Sequence, residues 1–158
     1  MAPIFSSHSD PALEALLPES VSGTALHRYS LTFTELLGTS GDRAEIDAFL
    51  QTLNKTEADG SFAAAFDPNN MVGGGINAFR LAGADAAALL AGITAVEVSD
   101  LGTDATSEQA TVGNKNVTVA SVGDGVNDTE WIYGYGDVVF VVHAADETAA
   151  AAFLEALP

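Results

Sequence analysis

The chain has no cysteine, and lysine and arginine together number only five among its 158 residues. The first absence removes disulfides, thiolate nucleophiles and Cys-ligated zinc or iron–sulfur centres. The second, set against 22 aspartates and glutamates, leaves a formal net charge of −17. Nucleic-acid phosphates need neutralisation by Lys and Arg, and anionic lipid surfaces attract basic segments, so neither is an expected partner. No apolar run approaches the ~20 residues of a spanning helix, so direct membrane insertion by this segment is not expected either. The opening "MAPIFSSHSD" lacks the basic n-region and apolar h-region of a signal peptide, which fits either a cytoplasmic protein or an excised soluble part of a longer one.

What is present is ample apolar material. A hydrophobic fraction of 47% over this length fits a single domain with its own core and excludes a disordered chain. The acidic balance favours solubility, cation attraction or a basic partner. Residues 1–9 are expected to form a flexible leader and 10–158 one domain.

Local signals place the elements. Asp10 can cap a helix that Pro11 opens, with Leu13, Leu16 and Leu17 on one face and Pro18 ending it. "GTALHRYSL" (23–31) reads as a strand. A helix over 42–54 has Asp42 as cap, Glu45 at capping-box spacing and Ile46, Phe49, Leu50 and Leu53 as its buried stripe. "SFAAAF" and "INAFRL" flank "DPNNMVGGG" as a hairpin, and Asp85 caps the helix "DAAALLAGI". "TSEQATV" and "NVTVASV" surround Gly113-Asn114-Lys115, and "EWIYGY" and "DVVFVV" surround Tyr135-Gly136-Asp137. Asp146 begins a last helix that Pro158 ends. These elements predict an α+β domain: a mostly antiparallel, twisted sheet of about six or seven strands with helices packed on one face.

Two echoes suggest an internal duplication. "LEALLP" (13–18) returns as "LEALP" (154–158), and its leucines at helical spacing ask for burial rather than recognition. Gly75, Phe79, Leu81 and Asp85 also align without gaps on Gly136, Phe140, Val142 and Asp146, a shift of 61 positions. Half-repeats spanning 19–95 and 107–158 are the expectation.

Chemistry is sparse. Of three histidines, His8 lies in the leader, His27 shares a strand face with Tyr29, and His143 ends a strand. No H-E-x-x-H, H-x-H or G-x-S-x-G motif supports a metal or a nucleophile. "MVGGGINAF" lacks the strand–loop–helix setting and the Lys of a phosphate cradle. The acidic stretches "DLGTDATSE" and "DGVNDTE" do not match a calcium-binding loop and read as solvated turns, as does "KTEADG". No cofactor, metal ligand or catalytic residue is assigned. The most distinctive constellation is Trp131, Tyr133 and Tyr135, which alternation puts on one face of a strand. Exposed, the three would be ligand-binding residues able to stack on a sugar or anchor a partner. Buried, they are core, and core is the favoured assignment.

The layout resembles an uncharacterised domain of bacterial exported or membrane-tethered proteins. The likeness rests on "LEALLP" followed by "VSG", on "GNKNVTV", on "YGYGDVVFVV" and on the terminal "LEALP". It implies an extracytoplasmic domain and carries over no catalytic residue. The expected function is a non-enzymatic binding or protein-interaction domain, its partner a protein or a small molecule. Two alternatives stand beside it. One is a small hydrolase or isomerase using carboxylates with His27 or His143 in a cleft. The other is an acidic subunit that self-assembles through a sheet edge or an aromatic face.

Overall fold

In the computed structural model the described residues are 4–38, 43–123 and 129–158. A 3₁₀ turn (Ile4–Ser6) and helix α1 (Pro11–Glu14) precede a small ribbon, β1 (Ser20–Val21) with β2 (Thr24–Ala25). Then follow β3 (His27–Thr32), α2 (Phe33–Leu37), α3 (Arg43–Thr52), β4 (Gly60–Phe66) and β5 (Gly74–Leu81). Helix α4 (Ala86–Leu101), β6 (Ala105–Val112), β7 (Lys115–Val122), β8 (Thr129–Tyr135), β9 (Val138–Ala144) and α5 (Glu147–Glu155) complete the order. Seven strands form one antiparallel sheet in the order β3-β4-β5-β9-β8-β7-β6. The α+β class and the antiparallel seven-stranded sheet are therefore as the sequence predicts. The sheet is two meanders joined where β5 meets β9, with Ala78 opposite Phe140.

The helices do not share one face, which corrects the expectation. Ile76, Ala78, Trp131, Val138, Phe140 and Val142 point to one side and are buried with Leu13 of α1 and Leu17 beyond it, and with Phe153, Leu154 and Leu157 of the α5 region. Phe62, Leu81, Ile132, Val139 and Val141 point to the other and are buried with Phe33 of α2, Leu50 of α3, and Leu89 and Ile93 of α4. The physical reason lies in β9: Val138, Val139, Phe140, Val141 and Val142 are all buried, apolar on both sides, and a strand of that kind needs cover above and below.

The duplication fails by the same geometry. A strand–strand–helix order does occur twice, as β4-β5-α4 and β8-β9-α5. Yet α4 covers one face and α5 the other, and Phe79 belongs to the α4 side while Phe140 is buried on the α5 side. An odd shift of 61 places aligned residues on opposite sides of a pleated strand, so the alignment reflects apolar alternation alone. The two "LEAL" phrases keep their structural meaning, since Leu13, Leu17, Leu154 and Leu157 all enter one cluster.

Three local differences follow. Residues 4–9 are not a loose leader: Ser9 N–H donates to Ser30 O, Ser30 N–H to Ser7 O, and His8 forms a parallel bridge with Ser30. This strap covers the outer edge of β3. The run 23–31 is broken at Leu26, whose N–H turns to Glu19 O. Finally, α2 arises where "TFTELL" puts a capping box, Thr32 with Glu35, directly at the end of a strand. The cap expected at Asp42 lies outside the described residues.

Candidate functional site

The lower ends of β3, β4, β5 and β9, on the α4 side of the sheet, form the floor of a groove of about 570 Å³. Its size falls within the usual range for small-molecule sites. One wall is aromatic. Phe5 from the strap meets Tyr29 and Phe66 edge-on, at 5.3 and 5.8 Å between ring centres. His27 Nε2 holds the strap through the Phe5 carbonyl and its ring lies 5.3 Å from Phe66. The other wall is the 67–73 turn, shaped by Asp67, whose carboxylate accepts backbone N–H bonds from Asn69, Met71 and Val72. Those bonds, the one from Asn69 first, hold the Asp67 carboxyl below its ordinary range. The turn therefore spends its amides on its own acid and is not an anion cradle.

At the inner end the polar groups converge. Asn77 sits mid-sheet, paired with Ala64 on one side and Val141 on the other. Its Nδ2 lies 3.2 Å from His143 Nε2, and His143 Nδ1 lies 3.3 Å from Glu130 Oε1. An amide nitrogen can only donate, so Nε2 is the acceptor and Nδ1–H points to Glu130. Burial holds the imidazole neutral by lowering its pKa, against the charge of Glu97 on α4. Burial, together with the neighbouring carboxylates Glu97 and Asp100, pushes Glu130 up to about 9. Its Oε2 is buried without a hydrogen-bond partner among the described residues. At neutral pH the relay Asn77–His143–Glu130 thus carries no net charge.

Close backbone approach fixes this end. A Cβ on Gly74 would stand 2.1 Å from the His143 carbonyl oxygen, so only glycine lets β5 start against β9 at that point.

The residues expected from sequence fall elsewhere. Trp131 is 3% exposed in the core on the opposite side of the sheet, which removes it as a stacking platform. Tyr133 stacks on Phe140 at 6.0 Å and its hydroxyl donates to Pro158 O at 2.8 Å, while Tyr135 alone is open to solvent. The ladder is a seat for the last helix, not a binding face. It is core because β8 turns these alternate residues toward α5. His27 and His143 do not come together: β4 and β5 separate their strands, so these two cannot share a metal. Asp100 ends α4, Asp104 follows it and Glu108 is exposed on β6, so that acidic stretch does not converge. Residues 124–128, with Asp124, Asn127 and Asp128, lie outside the described residues. Sequence reasoning missed the roles of Glu130 and Asn77. A signal existed for the first, because alternation puts Glu130 in line with buried Ile132, and an acid in an apolar stripe marks a perturbed group.

No protein-family model, curated protein or solved structure matches the chain.

Proposed function

We propose that the chain is a small-molecule binding domain whose ligand lies in the groove, its apolar part against Phe5, Tyr29 and Phe66 and its polar part at Asn77, beside His143. The observation that carries this reading is a concave aromatic channel ending on the Asn77–His143 hydrogen bond, with Glu130 3.3 Å from the other ring nitrogen. Few convergent polar groups in an apolar concavity are what a recognition site needs. An extracytoplasmic setting, implied by the resemblance of the sequence, belongs to the same proposal. Amide and side-chain NMR of the labelled protein, titrated with neutral aromatic fragments, tests it. Shifts should gather at Tyr29, Gly75, Asn77 and His143 and spare Trp131. Shifts gathered around Trp131 and α5 would dismiss the groove.

One observation favours a second reading. A carboxyl that keeps its proton beside an imidazole that stays neutral is an acid and a base held ready at the same pH. Turnover of ester and glycoside panels, with Glu130→Gln as control, tests it. Absence of any Glu130-dependent turnover removes catalysis and leaves binding.

A further inference from the structure

We infer that the groove selects a neutral planar ring bearing an amide-type edge, a hydrogen-bond donor beside an acceptor, as in a carboxamide or lactam. The inference rests on the binding reading above and names the class of ligand within it.

The groups that face the groove set the class of ligand. Asn77 has four hydrogen-bonding positions: two N–H donors on Nδ2 and two lone pairs on Oδ1. One N–H goes to His143 Nε2, and the other groups have no partner among the described residues. The side chain is held from behind by its bond to His143, so its remaining donor and acceptor are oriented before any ligand arrives. A ligand amide is the complement of such an edge, giving one bond and receiving one. A ketone or ether can only accept, and leaves Oδ1 dry and unpaired once the groove is filled.

Charge excludes the neighbouring classes. No lysine or arginine lines the groove, so a carboxylate or phosphate would meet no counter-ion in a chain of net charge −17. A cation would need a free carboxylate at the wall. Asp67 has three of its roughly four acceptor positions on backbone amides, and Glu130 does not line the groove. Glu97 and Asp100 are not among the residues that line the groove. The polar side chains left to a ligand are Tyr29, Asn70 and Asn77, none of them charged at neutral pH. Aromatic rings at the other end favour a flat apolar partner, through edge contacts of the kind that Phe5 already makes.

Four probes of one shape separate the possibilities: benzamide, acetophenone, benzoate and benzylamine, each titrated at pH 7 into the full chain with Asn77 side-chain and His143 ring resonances as readout. Benzamide should bind about five- to tenfold more tightly than acetophenone, the value of one well-placed hydrogen bond. Benzoate and benzylamine should bind more weakly than either. Asn77→Thr, which keeps a good strand former, should bring benzamide down to the acetophenone level, and Asn77→Ala should do the same. If neither variant folds, the wild-type ratio decides alone. Benzylamine or benzoate as the tightest probe, or equal affinity for benzamide and acetophenone, overturns the amide class while leaving the groove as the site. If none of the four moves Tyr29, Phe66, Asn77 or His143, the groove reading itself falls.

Discussion

Glu130 is the residue at which chemistry and stability meet. In the folded chain its carboxyl keeps a proton up to about 9, whereas its ordinary value is 4.5. Between those two pH values the unfolded chain has lost the proton that the folded chain retains. Stability therefore falls as pH rises through this window, by the proton difference between the two states. His143 acts in the opposite direction. Its folded pKa lies below 6.5, so on acidification the unfolded chain takes up the proton first and stability drops below that point. Glu130→Gln should stabilise the protein by several kcal/mol at pH 8 and by much less at pH 5. Urea unfolding at the two pH values measures this, and equal gains at both would contradict the assignment. Gly74 supplies a second test. Gly74→Ala must displace the His143 carbonyl, so it should shift the His143 ring resonances and weaken ligand binding while α5 melts normally.

At the level of elements, capping is the most legible feature. Asp10, Asp85 and Asp146 each accept the N–H three residues on, from Leu13, Ala88 and Ala149 at 2.9, 2.9 and 2.8 Å. Aspartate before a run of small or apolar residues carries that information in the chain itself. Asp146→Ala should cost about 1 kcal/mol in a thermal or urea melt, and no loss would mean that α5 is held by packing alone. Less legible was α2, because its capping box follows β3 with no polar loop between them. The last turns of α4, "TAVEVSDL", were hidden by β-branched residues that read weakly as helix. Alternation shows which residues of a strand share a side but not which helix lies over that side, and so the two-sided cover of β9 could not be seen. The groove was illegible for a related reason. Asn77 and His143 stand 66 residues apart and meet only through the β5–β9 pairing, a long-range choice that no local pattern encodes.

At the level of the whole molecule, the two margins of the sheet are managed differently. Along β6 the exposed residues Thr106, Ser107, Glu108 and Gln109 make a polar, charged border. Along β3 the border is closed by the strap through its two backbone bonds to Ser30, the Ser9 hydroxyl to Glu35 and the His8–Glu14 pair. Removing residues 1–9 should lower the melting temperature, widen the groove and produce concentration-dependent association in light scattering. A truncated chain with unchanged association and unchanged stability would show that the strap is ornamental.

The single tryptophan lies across the sheet from the groove, sealed under the terminal leucines. Its emission will report loss of the native state faithfully and occupancy hardly at all. A ligand search that watches tryptophan emission would therefore return silence even from a saturated protein, and the tyrosine at position 29, or a label near it, is where an observer has to look.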